Sequence, residues 1–356
     1  MRTLRTTVRS SSAVAVAGAS LALVLSACGG SSTSSTAAGG SSGGSSSGKK
    51  IVYITPNPVG SNSFLQLGVE GARRAAQQAG AQFKLYESTD PTSISQNVDA
   101  AVRSKPDLIV GLSFSFDDVF AAATKAHPDQ QFLQVDSCVK NQPKNLTCVA
   151  FKEHEAAYVA GVEAGKTTKS GKVGVVAALD TPFIHRWVDP FFEGAKSVNP
   201  AVQGTALYVG GQNPFSDPAR AKAQAQTLAG RGVDVVLAAA SAGNEGVFQA
   251  AAAGGFKAFG VDSNQCPASK NVIVDNVLKR VDVAEAAAIQ DVLAGKAGGF
   301  KVYGLKEQGV GVGAVLGGQF LTDCTVASDS AATAAAKKAN TSVVSGTVSV
   351  KDPLQG

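Results

Sequence analysis

Short apolar runs alternate with segments of helical period from residue 50 onward, and this alternation constrains the fold more than any other feature. Continuous apolar runs are typical of strands that are buried on both faces. Such strands, separated by helices, predict a parallel sheet covered by helices on both sides. Strands are predicted at 51–54, 83–86, 108–110 and 132–135, and helices at 63–79, 94–102 and 119–125.

The same alternation then starts again, which predicts a second α/β unit of similar size. Helices are predicted at 156–166, 191–198, 218–229, 246–253, 281–293 and 331–339, and strands at 172–177, 205–209, 233–239, 258–261, 271–274 and 345–350. Ligands of open parallel sheets bind beyond the carboxyl ends of the strands. Two lobes of this kind that face each other would form a cleft that closes by hinge motion.

Length and charge narrow the classes of protein that fit this pattern. A chain of 356 residues suggests about two or three domains. Its hydrophobic content of 44% is enough for a buried core. Three Arg lie in the first ten residues, and without them 29 of the 32 basic residues remain against 27 acidic ones. This near balance argues against a nucleic-acid partner, which needs a basic face.

The amino terminus has the layout of a secretory signal over residues 1–27. Its charged part contains Arg2, Arg5 and Arg9, and the apolar run at 13–25 is shorter than the ~20 residues that span a bilayer. Leu25-Ser26-Ala27-Cys28 follows and resembles a bacterial lipobox, in which the Cys is lipidated and becomes the first residue of the mature protein. The alternative is ordinary signal cleavage, with Cys28 incidental.

A tether is predicted after the signal. Residues 29–48 are almost wholly Gly, Ser, Thr and Ala, a composition typical of a flexible coil. Residues 28–49 are therefore interpreted as the lipidated Cys and a flexible tether to a membrane. No later stretch reaches the ~18 uninterrupted apolar residues that indicate a transmembrane helix.

Four cysteines remain if Cys28 is lipidated, an even number in an exported chain. Cys138 and Cys148 are close in sequence and each lies beside a predicted strand, so we predict that they pair, and that Cys266 pairs with Cys324. Four Cys allow three connectivities. Metal binding is the alternative, and it is weak because the chain has no CxxC motif and only three His.

No segment of the chain predicts catalysis or a cofactor site. Gly165-Lys166-Thr167 lacks the earlier Gly of a phosphate-binding loop, because position 160 is Ala. Glu153-His154-Glu155 is interpreted as a solvated helix start, since consecutive helical residues face different directions. His127, His154 and His185 have no nucleophile motif nearby. We therefore predict no metal, no cofactor and no enzymatic activity.

Several motifs are spread in order along nearly all of residues 50–350. They are Phe151-Lys152-Glu153-His154-Glu155 followed by Gly161, the set Pro182, Ile184, Arg186 and Trp187, then 243–248, 260–265, Leu278-Lys279-Arg280-Val281-Asp282 and 345–350. In this order they resemble the basic membrane protein (BMP) family. Members of that family are lipoprotein substrate-binding components of ABC importers, and several bind purine nucleosides.

The resemblance implies a type I periplasmic-binding-protein fold. This α/β fold has two Rossmann-like lobes with parallel sheets, joined by a hinge that the chain crosses three times. The lobes are predicted as 50–152 plus 275–302 for lobe one, and 153–274 plus 303–356 for lobe two.

The resemblance also implies a site. In nucleoside-binding members the base is sandwiched between two Phe rings, which correspond by position to Phe64 and Phe248. The groups that hold the ribose hydroxyls correspond to Asp262 and Lys279, and a further Asp near the ligand corresponds to Asp136.

Physical chemistry supports this set of residues independently. Asp136 and Asp262 each follow an apolar strand run, which places both carboxylates at strand carboxyl ends. One carboxylate can accept hydrogen bonds from two vicinal hydroxyls, and a charged acceptor makes a shorter and stronger bond. Two alternatives remain open: Lys279 as an ordinary surface lysine and Asp262 as a cap.

The aromatic candidates have alternatives as well. Phe64 and Phe248 lie at helical spacing with apolar neighbours, which is also typical of core residues. Trp187 replaces a common Phe of the family and would either widen the stacking surface or pack internally. Phe114 and Phe116 follow the strand at 108–110 and are candidates to border the cleft.

The sequence departs from the family where the base edge is recognised. The common Asp-Lys-Ser-Phe-Asn run is Ser-Asn-Ser-Phe-Leu at 61–65, which keeps Ser63 as a candidate. The acid that usually precedes this run corresponds to Thr55 or Asn57, groups that also donate hydrogen bonds. Base preference therefore stays open, and another heteroaromatic ligand is an alternative.

The leading hypothesis is a monomeric, membrane-anchored solute receptor that binds a nucleoside, with a purine nucleoside favoured, and delivers it to an ABC permease. A partner ATPase would supply the energy, since the chain has no nucleotide-hydrolysis motif. The second hypothesis is a surface sensor coupled to a membrane kinase. The third is a nucleoside hydrolase or phosphorylase, which the lack of a poised base argues against.

Overall fold

The computed structural model describes residues 48–355. The predicted signal peptide, Cys28 and the tether up to residue 47 lie outside this range. Twelve strands follow one another along it: β1 (Lys50–Thr55), β2 (Gln82–Glu87), β3 (Leu108–Leu112), β4 (Phe132–Val135), β5 (Leu146–Phe151), β6 (Lys172–Ala177), β7 (Gln203–Tyr208), β8 (Val235–Ala239), β9 (Lys257–Asp262), β10 (Ile273–Lys279), β11 (Phe300–Tyr303) and β12 (Val310–Val312).

The strands form two six-stranded sheets. Their orders are β11-β5-β4-β3-β1-β2 and β12-β10-β9-β8-β6-β7. Every pair in the first sheet is parallel, and in the second only β10 with β12 is antiparallel. The predicted α/β fold with two parallel-sheet lobes is confirmed.

Ten α-helices lie within the described residues; eight of them connect strands, and the last two follow β12. They are α1 (Ser63–Gln78), α2 (Pro91–Arg103), α3 (Asp117–Ala126), α4 (Glu153–Thr167), α5 (Pro182–Val198), α6 (Pro218–Gly230), α7 (Asn244–Gly254), α8 (Val281–Leu293), α9 (Gly313–Leu316) and α10 (Ser330–Val344). Helix α5 begins at Pro182 rather than at the predicted residue 191, because a proline is well suited to the first helical turn. Pro190 then lies inside the helix. None of the helices within residues 48–355 is long and apolar enough to cross a bilayer.

The chain crosses between the sheets three times, as predicted. It leaves the first sheet after β5, returns after β10, and leaves again between β11 and β12. All of β10 belongs to the second sheet, so the predicted lobe boundary between 274 and 275 cuts this strand and the crossing itself lies at Arg280. The apolar pattern ends early because Asp275 and Asn276 are polar, although both are fully buried in the strand.

Helices α1 and α8 pack closely beside the hinge. Asn62 caps α1 by accepting a hydrogen bond from the backbone N–H of Leu65. A side chain at Gly71 would place its Cβ 2.6 Å from the backbone oxygen of Asp282. This close approach holds the first turn of α1, with Phe64, near the end of β10.

The predicted final strand at 345–350 is wrong. These residues form turns and bends, and Gly346 has a φ of +77°. The backbone N–H of Val348 donates to the carbonyl of Ser342, so the segment folds back on the end of α10 instead of pairing with a strand.

Both predicted disulfides are confirmed. Cys138 pairs with Cys148 and joins the segment after β4 to β5. Cys266 pairs with Cys324 and joins the β9–β10 connection to the segment that follows α9.

Candidate functional site

A central cavity of about 100 Å³ lies where the carboxyl ends of the two sheets face each other. It is lined from both lobes, and its walls include six residues that the sequence analysis selected: Asn57, Phe64, Asp136, Trp187, Asp262 and Lys279. Three wider cavities share lining residues with it, one of them of about 490 Å³ through Ser241. One of about 920 Å³ shares Asp136 and Phe183 with it, and one of about 470 Å³ shares Asn57, Asn62 and Phe215.

Two other candidates do not line this cavity. Phe248, on α7, is nearly buried and borders a neighbouring surface pocket together with Glu245 and Gln249, and this pocket shares Ser241 with the central cavity. Ser63 is nearly buried at the start of α1, and its Oγ has no hydrogen-bond partner among the described residues. The structure therefore brings Phe64 together with Asp262 and Lys279, but not with Phe248.

Four residues at or just past the ends of strands at the cavity have a left-handed backbone. The φ angles are +111° at Ser113, +81° at Asp136, +51° at Ser241 and +68° at Asp262. Non-glycine residues rarely adopt this conformation because it is strained, and strain of this kind clusters at functional sites. Ser113 and Asp136 directly follow β3 and β4, Ser241 lies two residues past β8, and Asp262 ends β9. Both sheets therefore contribute residues with this backbone conformation to one cavity.

Lys279, the last residue of β10, lies among carboxylates. Its Nζ is 2.7 Å from Oδ1 of Asp136 and 3.1 Å from Oε1 of Glu153. Burial alone would lower the pKa of Lys279, but the carboxylates of Asp136, Glu153 and Asp262 outweigh it and raise that pKa. The ammonium therefore stays charged at every physiological pH.

The two strand-end carboxylates are less acidic than usual. Burial raises the pKa of Asp136 to about 7, against the opposing effect of Lys279. Burial likewise raises the pKa of Asp262 to about 6. Asp262 has no side-chain hydrogen bond to another described residue in the structure, so its acceptor oxygens are available to a solute.

Glu153 is a site residue that the sequence analysis missed. The predicted solvated helix start is wrong, because Glu153 is fully buried and His154 nearly so. Burial raises the pKa of Glu153, but the charges of Arg186 and Lys279 outweigh it and leave the pKa below its ordinary value. The available signal was an acid two residues after the end of β5, where the chain enters the hinge, and a lysine at the end of β10, where the chain returns through it.

Aromatic rings surround the ammonium. Nζ of Lys279 lies 4.6 Å from the ring centre of Phe64, 5.8 Å from that of Phe183 and 5.5 Å from that of Trp187. Contacts of this length over a ring face are attractive for a cation. Phe64 comes from lobe one and the other two rings from α5 of lobe two, so the cavity has flat apolar walls on both sides.

Phe114 also borders the cavity, as anticipated, whereas Phe116 is fully buried and packs on Phe120. The ring centre of Phe114 lies 5.0 Å from that of Phe183 and 6.4 Å from that of Phe215. Phe183 and Phe215 were missed because each lies on or next to a loop that follows a strand, where no periodicity marks a buried face.

The end of the cavity near β1 is neutral and polar. Thr55 is fully buried, and its hydroxyl donates to the backbone oxygen of Asn57 at 2.8 Å. Asn57 itself lines the cavity, together with Asn62 and Ser115. Amides and hydroxyls both donate and accept hydrogen bonds.

The arrangement suits reversible binding of a flat solute that bears hydroxyl groups. The rings offer stacking surfaces, the two Asp accept hydrogen bonds, and Lys279 donates one. Among residues 48–355, no cluster of three or more His, Cys, Asp or Glu side chains could hold a metal ion.

Comparison with known proteins finds a family and relatives to which the chain is similar. Residues 48–352 match the family described as ABC transporter substrate-binding protein PnrA-like. The chain is 33% identical over 209 residues to the ABC transporter nucleoside-binding protein BmpA of Lactococcus lactis subsp. cremoris, a match that covers 58% of each protein. It is 32% identical over 250 residues to the CD4+ T-cell-stimulating antigen of Listeria monocytogenes, which covers 65% of this chain and 68% of that protein.

A solved structure supports the fold. The crystal structure of an ABC transporter solute-binding protein from Aeropyrum pernix K1 superposes with a TM-score of 0.75 at 26% identity. The superposition covers 86% of this chain and 94% of that one.

Proposed function

This chain belongs to the family of PnrA-like ABC transporter substrate-binding proteins, and from that premise we propose that it binds a nucleoside, with a purine nucleoside favoured, in the central cavity. The family placement confirms the resemblance to BMP proteins and makes the chain a solute-binding component of an ABC transporter rather than an enzyme.

The observation that carries the proposal is the pairing of ring faces with strand-end carboxylates in one cavity between the lobes. Stacking of a base on an aromatic ring contributes roughly 1–3 kcal/mol. Asp262 and Asp136 would accept the hydrogen bonds of the ribose hydroxyls, and Lys279 would donate to a ribose oxygen.

The stacking rings in this proposal are Phe64 from lobe one and Phe183 with Trp187 from lobe two. All three lie within 6 Å of the Lys279 ammonium, whereas Phe248 borders a different pocket. The neutral end of the cavity, with Asn57 and Asn62, would meet the polar edge of the base. Because the central cavity is smaller than the ~300–1,000 Å³ usual for ligand pockets, binding requires the lobes to part at the hinge.

The lobe assignment and the membrane attachment are part of the same proposal. The two sheets, with their three connecting crossings, act as the two lobes. Residues 1–27 serve as the signal, Cys28 carries the lipid, and the tether holds a monomeric receptor at the extracytoplasmic face beside its permease and ATPase. The lipobox-like sequence and the Gly/Ser-rich segment support this anchoring.

A nucleoside panel tests the function directly. Residues 48–355, which lie in one compact unit, should bind at least one of adenosine, guanosine, inosine, cytidine and uridine with a negative heat-capacity change in calorimetry, because apolar surface is buried. Trp187 is the only Trp of the chain and lines the cavity, so its fluorescence should change on binding. No response to any member would reject the nucleoside assignment, and a response only to other heteroaromatic solutes would replace it.

The variant Asp262→Asn should bind the same nucleoside about 10- to 100-fold more weakly at pH 7.5, since a hydrogen bond to a charged acceptor is lost. The pKa of Asp262 is about 6, so the wild-type carboxylate is protonated below that pH and the difference between the two proteins should shrink. Calorimetry from pH 5 to 8 measures both effects. Asp99→Asn, at an exposed position on α2, is the matched control. Equal affinities of Asp262→Asn and wild type at pH 7.5 would remove Asp262 from the site.

A further inference from the structure

The Lys279–Asp136 pair at the cavity wall is the inner end of a longer chain of buried charges. Oε1 of Glu153 accepts a hydrogen bond from Lys279, and its Oε2 lies 2.7 Å from Nη1 of Arg186. Nε of Arg186 lies 3.0 Å from Oδ1 of Asp352, in the carboxyl-terminal segment. We call these five residues, whose charges alternate in sign, the hinge ion network.

The network joins the elements that meet at the hinge. Asp136 follows β4 of the first sheet, and Lys279 ends β10 of the second. Glu153 is the first residue of α4, directly after the chain first leaves the first sheet. Two of the three crossings are therefore tied together next to the cavity.

Burial makes these contacts difficult to rearrange. The side chains of Asp136, Glu153, Arg186 and Lys279 are at most 5% exposed. A buried charge costs several kcal/mol unless it is paired and hydrogen-bonded. Each of these charged groups therefore stays in contact with its ion-pair partners. A displacement of Glu153 would consequently displace Lys279 as well.

The ammonium of Lys279 has one donor to spare for a ligand. It carries three N–H groups, and the structure shows two acceptors for them among the described side chains, Asp136 and Glu153. Neither Glu153 nor Arg186 lines the central cavity, whereas Lys279 and Asp136 do.

Resting on the proposed nucleoside function, we propose that Glu153 and Arg186 are positioning residues. They hold the Lys279 ammonium against Asp136 at the cavity wall, so that Lys279 donates to the ligand and Asp136 accepts from it in one fixed geometry. They act through Lys279 and do not contact the ligand.

The charge of Glu153 affects the pKa values of neighbouring carboxyl groups, and a purely structural role of Glu153 would not have this effect. Among the groups around the cavity, Glu153 raises the pKa of both Asp136 and Asp262, in addition to the larger effect of burial. Removing that charge should lower both pKa values. The charged and titratable groups that face this region are Asp136, Asp262, Lys279, Glu153, His154, Arg186 and Asp352.

The test variant is Glu153→Gln, which keeps the shape of the side chain and removes its charge. Its affinity for the best-binding nucleoside of the panel should fall about 10- to 100-fold at pH 7.5, because a charge-assisted contact to Lys279 is lost. Binding should weaken on acidification, and the pH at the midpoint of this loss should be lower in the variant than in the wild type. Glu245→Gln is the control, since Glu245 also lies in the first turn of a helix but outside the cavity.

A second readout needs no ligand. The ring of Trp187 lies 5.5 Å from Nζ of Lys279, so its emission should follow the titration of the neighbouring carboxylates between pH 5 and 8. In Glu153→Gln the midpoint of this titration should also fall. In Glu153→Asp, which retains the charge, it should stay close to the wild-type value.

The outcomes separate the two proposals. If the wild type binds no nucleoside, the proposed function fails, and the Trp187 titration alone decides whether Glu153 controls the cavity groups. If Glu153→Gln keeps the wild-type midpoint in that titration, the positioning role is overturned. The role is also overturned if the variant binds the nucleoside with wild-type affinity and an unchanged pH profile.

Discussion

Replacing Lys279 by Met should destabilise the protein by about 3–5 kcal/mol at pH 7.5, since removing one partner of a buried ion pair leaves an uncompensated charge. Lys279 is the counter-ion of two buried carboxylates, 2.7 Å from Asp136 and 3.1 Å from Glu153. After the substitution Arg186 still neutralises Glu153, but Asp136 has no cation within the network.

The pH dependence of this loss has a definite sign. Lys279 lowers the pKa of Asp136, so the Met variant raises that pKa further above its value in the unfolded chain. A carboxyl group whose pKa is higher in the folded state binds its proton more tightly there, and stability then increases as the pH falls. The deficit relative to wild type should therefore shrink between pH 7.5 and pH 5.

Urea unfolding at both pH values measures this effect. Lys270→Met is the matched control, because Lys270 is 66% exposed and forms a surface pair with Asp323 at 3.3 Å. Exposed pairs contribute about 0–1 kcal/mol. If Lys279→Met costs no more stability than Lys270→Met, the buried network does not stabilise the fold.

Removing the Cys266–Cys324 disulfide by a double substitution to Ala should cost about 4 kcal/mol. The cross-link closes a segment of 58 residues, and the loop-entropy relation gives about 4 kcal/mol for that length. Cys138–Cys148 closes only 10 residues, and the same relation gives about 3 kcal/mol.

The two disulfides are therefore controls for each other in one chain. Urea unfolding of each double-Ala variant, compared with the oxidised wild type, should show the larger loss for Cys266 and Cys324. The reverse order would mean that local packing, rather than the length of the closed loop, sets the contribution of these cross-links.

Much of the fold could be predicted because the secondary structure that short segments favour is the one that they adopt in the tertiary structure. The continuous apolar runs became the strands of two parallel sheets, and the helical periods became the helices between them. The apolar pattern gave the wrong strand boundary where a polar side chain is buried and satisfied by hydrogen bonds. Asp275 interrupts the apolar run of β10, yet its carboxylate accepts hydrogen bonds from the backbone of Gly313 and Ala314.

The candidate site was predictable in part for the same reason. In each sheet the carboxyl ends of the parallel strands share one edge, and the edges of the two sheets face each other across the cavity, which brings Asp136 and Asp262 to its walls. The aromatic partner of Phe64 was not predictable in this way. Phe248 follows a helical period that fits a core as well as a cleft, whereas Phe183 and Phe215 show no period at all.

The sequence by itself determined two α/β units and the strand-end acids, because these depend on the order of apolar and polar residues along short segments. It also predicted the two disulfides, from the even number of remaining Cys and from the nearness of Cys138 to Cys148 in the chain. Only the tertiary structure decided which rings face each other across the lobes and that Glu153 and Arg186 extend from Lys279 as a buried ion network. Those contacts join residues far apart in the chain. An acid at the start of a helix has the same sequence pattern whether it is solvated or forms a buried ion pair.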